Sequence, residues 1–159
     1  LNISIVRMTH NRPKIALYQP DIPQNTASII RTCSCLGIIL EIIEPCGFII
    51  NDQKFKRVVM DYYDAKNINF YRSPEKFFMS KINKRIILMT TKSKKSYEKF
   101  LFRQDDTVLF GRESVGVPSG VHKKANHRLT IPMMNKKRSL NLSSSVSIVI
   151  SKMLNQNNF

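Results

Sequence analysis

Short apolar runs, each about one strand long and each stopped by a turn-forming residue, alternate along this chain with stretches of helical period. The first run is Lys14-Ile15-Ala16-Leu17-Tyr18, closed by Pro20. After a loop over 19–24, Asn25 or Thr26 is placed to cap a helix whose Ile29, Cys33 and Leu36 share one face, with Gly37 ending it. Ile38 to Ile43 reads as a second strand, and Asp52 then opens a helix turning Phe55, Val58 and Val59 inward. Ile68 to Tyr71, a helix start at Ser73-Pro74, Arg85 to Thr91, Thr107 to Phe110 and Arg128 to Ile131 continue the alternation. A last helix starts near Ser139 or Asn141. Its Leu142, Val146, Val149 and Met153, widened by Ile150 and Leu154, form an apolar face broad enough to require a second surface over it. Strands alternating with helices predict an α/β fold, a mostly parallel sheet with helices on both faces.

At 159 residues the chain fits one domain, read as residues 13–155, with a flexible extension at 1–12 and a polar tail at 156–159. Its three cysteines, Cys33, Cys35 and Cys46, make no disulfide framework and no four-ligand zinc pattern, so they read as core thiols in a reducing, cytoplasmic compartment. No apolar run approaches a membrane span, and residues 1–12 lack the apolar core of a secretion signal. The formal charge of +15 attracts polyanions, and nucleic acid is the first partner to consider. A solvated basic surface is the competing account. Of the basic clusters, Lys123-Lys124 and Lys136-Lys137-Arg138, with Arg57, are the candidates for tracking phosphate.

The five glycines, at 37, 47, 111, 116 and 120, form no G-x-G-x-x-G, which removes the usual dinucleotide loop. Gly111 and Gly116 have the spacing of a phosphate-binding loop, but Val117-Pro118 stands where Lys and Ser or Thr would hold phosphate and magnesium. His10, His122 and His127 have no acidic or cysteine companion at useful spacing, and Asp105-Asp106 reads as a hairpin turn. Hydrolase and metal chemistry therefore have little support. What remains is a set of strand-to-loop junctions: 110–118, Ile131-Pro132-Met133, and Arg138-Ser139-Leu140-Asn141-Leu142-Ser143. Each brings small or turn-forming residues, and so exposed backbone, to one sheet edge.

Together with Asn25-Thr26-Ala27-Ser28-Ile29-Ile30-Arg31, these segments resemble the SPOUT superfamily of RNA methyltransferases, nearest its branch acting on the 2′-hydroxyl of the tRNA wobble nucleoside, position 34. The resemblance runs from about Lys14 to Leu154. It implies a C-terminal trefoil knot built from 111–118 and 132–142, S-adenosyl-L-methionine as cofactor, tRNA as substrate, a homodimer, and neither metal nor membrane. By the same resemblance Met89, Gly111, Ile131, Ser139, Leu140 and Asn141 fall at cofactor positions, and Arg31, with Asn25 and Glu113, at catalytic ones. Arg31 would clamp the acceptor electrostatically from the partner subunit, because a guanidinium titrates too high for a comfortable base. Glu113 would cap backbone or orient Arg31, and Asn141 would brace the loops. Ser151-Lys152 departs from the Tyr-Glu pair of close relatives in the last helix. Ribosomal RNA, another tRNA position, or RNA binding without catalysis are the alternative readings.

Overall fold

The computed structural model describes residues 13–50, 52–62, 66–134 and 138–156. The extension expected at 1–12, the candidate phosphate ligands Lys136 and Lys137, and residues 157–159 of the tail lie outside them. Six strands, β1 (Lys14–Tyr18), β2 (Ile39–Ile43), β3 (Ile68–Tyr71), β4 (Ile86–Met89), β5 (Thr107–Phe110) and β6 (His127–Leu129), pair in the order β3-β2-β1-β5-β4-β6. Every ladder is parallel. Five helices accompany them: α1 (Pro23–Leu36), α2 (Gln53–Val59), α3 (Pro74–Met79), α4 (Ser119–Lys124) and α5 (Leu142–Gln156).

Strand residues alternate between two apolar layers, as the two-residue strand period demands. Ile15, Leu17, Leu40, Ile42, Ile87, Val108 and Phe110 face one way, packing with Ile29, Ile30 and Cys33 of α1, Phe55 and Val59 of α2, and Val146, Val149, Ile150 and Met153 of α5. Ala16, Tyr18, Ile43, Ile86, Leu88 and Leu109 face the other, against Phe77 of α3 and Val121 of α4. Burial on both faces explains why these strands read as continuous apolar runs.

The broad face of α5 finds its cover within the chain. Val146, Val149, Ile150 and Met153 are each fully buried against α1 and the sheet, a gain of about 1.5–3 kcal/mol per side chain. The second surface that the sequence demands is therefore the protein's own core.

Several local expectations shift. α1 begins at Pro23, with Ile22 at the N-cap and no side-chain cap, so neither Asn25 nor Thr26 caps it. Proline lacks the N–H that a first-turn residue would leave unpaired, which makes it a natural first helical residue. Gly37 ends the helix in the left-handed region, φ 64°, where a Cβ would be strained. Leu36 and Val58 are exposed, whereas Ala27, Ile30 and Val59 are buried. Cys35 is exposed, whereas Cys33 is buried. Ser73 caps α3, its side chain accepting from Lys76 N–H.

Asp106 forms no hairpin, since the strands on either side of it run parallel. It is fully buried and takes Arg85 in a two-point ion pair, Nε to Oδ1 at 2.7 Å and Nη2 to Oδ2 at 2.6 Å. A second buried pair joins Lys81 to Glu41 at 2.6 Å on the α3 side of the sheet, with the Tyr71 hydroxyl donating to the same carboxylate at 3.2 Å. Burial pulls the Lys81 ammonium below its ordinary range against the attraction of Glu41. No described helix is long and apolar enough to cross a membrane.

Candidate active site

Strands β2 and β3 lie on one side of β1, and β5, β4 and β6 on the other. At such a reversal the connecting helices leave opposite faces, opening a crevice beyond the carboxyl ends of the strands. Here the crevice is a cavity of about 520 Å³. Its walls are Ile22 and Asn25 after β1, Met89 to Lys92 at the end of β4, Phe110 to Val117 at the end of β5, Thr130, Ile131 and Met133 after β6, and residues 138–142 leading into α5.

All six residues expected at cofactor positions, Met89, Gly111, Ile131, Ser139, Leu140 and Asn141, border this space, as do Asn25, Glu113 and Arg138. Arg31 does not. It sits exposed on α1 with its guanidinium carbon 4.8 Å from the centre of the Tyr62 ring. Arg57, Lys123 and Lys124 are also exposed and away from the cavity, and Lys124 Nζ stands 4.6 Å over the Phe78 ring.

Two glycines shape the β5 loop for different reasons. Arg112 and Gly116 exchange backbone hydrogen bonds, Arg112 N–H to Gly116 O at 3.0 Å and Gly116 N–H to Arg112 O at 2.9 Å, closing a tight hairpin. Gly116 makes the turn with φ 70°, a conformation that costs other residues dearly. Gly111 is needed for space, because a Cβ there would stand 2.7 Å from the carbonyl carbon of Gly116.

A string of hydrogen bonds then ties the three distant segments together. Glu113 accepts from Asp21 N–H at 2.8 Å through Oε2 and from Asn25 Nδ2 at 3.2 Å through Oε1. Asn25 Oδ1 in turn accepts from Asn141 Nδ2 at 2.9 Å. Asn141 Oδ1 takes Ser143 N–H at 2.9 Å, the Ser143 hydroxyl at 2.7 Å and Ser144 N–H at 3.3 Å, capping α5. Within one chain Glu113 is thus a backbone clamp, and it does not touch Arg31.

Sequence reasoning missed Asp21, Arg112, Ser114 and His122. Asp21 accepts from Arg112 Nε at 3.1 Å and from both the N–H and the hydroxyl of Ser114. Burial opposes its charge, but the Ser114 bonds and Arg112 prevail and hold the carboxyl below its usual range. The one available signal was its position in the loop directly after β1. Cys46 packs near this group. Burial, aided by Glu44 and only partly offset by Arg112, pushes its thiol up to about 12, so it is no nucleophile at neutral pH. Among the described residues no three His, Cys, Asp or Glu side chains gather as metal ligands.

The cavity is of ordinary size for a drug-sized ligand. Residues 131–134 and 138–140 belong to no helix or strand, so backbone groups there that no ladder engages can hydrogen-bond a heterocycle edge and ribose hydroxyls. Met89, Ile131 and Leu142 supply apolar walls. This donor set fits a neutral nucleoside carrying a short charged arm, as in S-adenosyl-L-methionine.

Similar proteins give the same picture. A tRNA (cytidine(34)-2'-O)-methyltransferase of Beijerinckia indica is 42% identical over 144 residues, covering 89% of this chain and 90% of that protein. Its counterpart in Escherichia coli K12 is 34% identical over 138 residues, covering 86% and 88%. A solved structure described as giving insight into 2-OH methylation of C/U34 on tRNA superposes with a TM-score of 0.87 at 32% identity, covering 93% of this chain and 97% of that one. The model of the SpoU rRNA Methylase family matches residues 12–151. With its motif loops meeting at one cavity and its match spanning nearly the whole sequence, the chain belongs to the SpoU rRNA methylase family.

Proposed function

We propose that this protein transfers a methyl group from S-adenosyl-L-methionine to the ribose 2′-hydroxyl of nucleoside 34 of tRNA, acting in the cytoplasm as a homodimer. The observation that carries the reading is the convergence of the loops after β5 and β6 with the start of α5 on one cavity, in a chain whose near-full-length relatives bear that enzyme name. When bound, the cofactor would supply an electrophilic methyl carbon on its sulfonium for the 2′-oxygen, with S-adenosylhomocysteine as the leaving group and the hydroxyl proton passing to solvent.

The chain's own residues bind and orient. Gly111, Ile131, Ser139 and Leu140 line the cavity and would present backbone to the adenosine, with Met89 as an apolar wall. Asn25, Glu113 and Asn141 fix the loops relative to one another, so the reacting atoms are held in line without reorganisation. Arg31 lies outside its own cavity, and in this reading it serves the cavity of a second copy, stabilising charge that develops on the acceptor oxygen. That geometry is the support for a dimer. The broad face of α5 gives no support for one, since Val146, Val149, Ile150 and Met153 are buried within the chain. The family's trefoil knot would be formed by 111–118 and 132–142. Ser151 is exposed and Lys152 half-buried on α5, and they would sit near the contact between copies.

Calorimetry with S-adenosylhomocysteine and transfer of labelled methyl to bulk tRNA test the reading. Arg31→Ala is expected to abolish transfer and leave cofactor affinity unchanged, and mixing it with a cofactor-site variant is expected to restore part of the activity. No binding at millimolar S-adenosylhomocysteine ends the proposal. Label mapping to ribosomal RNA or to another tRNA position would keep the chemistry and replace the substrate.

A further inference from the structure

Beside the cofactor cavity lies a second cleft, of about 370 Å³, formed by the turn at 90–95 together with His122, Asn126, His127 and Arg128. Thr90, Lys92 and His122 border both spaces, so the two adjoin. No Asp or Glu lines the cleft. Among the described residues Lys92, Lys94, Lys95 and Arg128 enter no ion pair.

These cations sit on a fixed frame. Lys92 N–H donates to Thr90 Oγ1 at 3.2 Å, and Lys95 N–H to Ser93 Oγ at 3.1 Å. The Ser93 hydroxyl donates to Arg128 O at 2.8 Å, and Thr130 N–H to Lys95 O at 2.8 Å, which fastens the turn to β6. The Arg128 guanidinium donates to His122 O at 2.6 Å. The local field is visible in the imidazoles. Burial, then Lys92 and Arg128, hold His122 below its usual range. Burial, then Arg85 and Lys95, do the same to His127, against a pull from Asp106. A cleft rimmed by exposed cations on a braced backbone, with no carboxylate in its lining, favours an anion.

We propose that this cleft binds a phosphodiester of the substrate RNA, next to the nucleotide whose ribose enters the cofactor cavity. The RNA identity rests on the methyltransferase reading, whereas the anion chemistry rests on the cleft alone. Phosphate contacts of this kind fix register. Its work is to decide which ribose along the strand reaches the cofactor.

The test pairs the double variant Lys94→Gln/Lys95→Gln with Lys84→Gln, which removes a charge from the opposite, amino-terminal side of β4. Binding of an anticodon stem-loop RNA is followed over a salt series, with S-adenosylhomocysteine affinity as the check on folding. The double variant is expected to keep its cofactor affinity, to lose about tenfold in RNA affinity at moderate salt, and to show a log–log salt slope shallower by about 0.7 for each contact removed. Lys84→Gln is expected to leave the slope unchanged. In wild-type protein, RNA should raise the titration points of the His122 and His127 rings read by NMR. Inorganic phosphate is run as a separate probe. If it moves those rings while RNA neither moves them nor competes, the cleft serves a free anion and the proposal falls. An unaltered slope in the double variant overturns it equally. Absence of methyl transfer in the wild type would remove the enzymatic reading, while the salt series and the ring titrations would still decide separately whether the cleft takes RNA phosphate.

Discussion

The three glycines on the loop and helix after β5 make a graded test of the site, because each should tolerate alanine for a different reason or not at all. At Gly111 the new Cβ would lie 2.7 Å from the carbonyl carbon and 2.8 Å from the Cα of Gly116, roughly 1 Å inside ordinary carbon contact. The obstacle is backbone, so relief means moving the hairpin and weakening its two bonds between Arg112 and Gly116. Overpacking of this kind costs about 1–3 kcal/mol, and two weakened hydrogen bonds of about 0.5–1.5 kcal/mol each are the same size. A chain of this length should then lose roughly 2–4 °C in Tm for each kcal/mol. The same displacement moves the cavity wall, and S-adenosylhomocysteine should bind about 10–100-fold more weakly, since 1.4 kcal/mol is a factor of ten. Gly116→Ala meets nothing within 4 Å but keeps φ 70°, so it should cost about 1 kcal/mol from strain alone. Gly120→Ala also meets nothing and lies in α4, where alanine should be neutral or stabilise by up to about 1 kcal/mol. Thermal unfolding and calorimetry give the order. A Gly111→Ala protein with wild-type Tm and cofactor affinity would refute the close-approach argument, and a Gly120→Ala protein as damaged as Gly111→Ala would show that the ranking has another origin.

Three further outcomes follow from the polar groups. Asn141→Ala should lose about 1 kcal/mol of capping together with the bond to Asn25, lowering both urea stability and cofactor affinity; unaltered values in both would discount the brace. Lys81→Met leaves Glu41 buried without its cation, an effect of about 3–5 kcal/mol; a second change, Glu41→Gln, should recover most of it, and failure to recover would mean that charge is not the cause. Because the folded-state pKa of Asp21 is depressed, its stabilisation is complete above the unfolded value of about 3.9 and is lost as pH falls through the folded one. Asp21→Asn should therefore flatten the acid limb of the stability curve below about pH 4, and an unchanged limb would argue against the carboxylate as the anchor of the 111–116 loop.

The sheet was legible because parallel strands covered on both faces leave uninterrupted apolar runs, and Gly37 and Ser73-Pro74 mark helix ends by local chemistry that any sequence displays. Asn25 and Thr26 look like caps, which puts the start of α1 later in the chain than Pro23, where it lies. Asn25 spends its amide on Glu113 and Asn141 instead, and Pro23 was the better signal. Leu36 and Val58 read as inward because a stripe followed over one or two turns leaves its edge residues undetermined. Asp106 shows the same limit for charge: neighbouring carboxylates read as a turn, and only the fold brings Arg85 to one of them. The cofactor loops were read through their resemblance to known methyltransferases, and the cavity then collected all six. Asp21 lies in no such motif, and its partners Arg112 and Ser114 stand more than ninety positions away, too far for spacing to reveal them. Arg31 is singled out by the resemblance alone, which implies a role from a second copy, and its place outside its own chain's cavity agrees with that role.

The bond between Asn25 and Asn141 spans 116 positions of sequence, and this carries a consequence for biosynthesis. A nascent polypeptide still short of residue 141 already holds Asn25 and Glu113, yet it lacks the amide that joins them to the last helix and the loop that forms one wall of the cavity. Ligand cannot stabilise such an intermediate through a site that does not yet exist. Competence for the methyl donor therefore waits for residue 141 and the start of α5, and a product that stops short of them lacks one wall of the cavity.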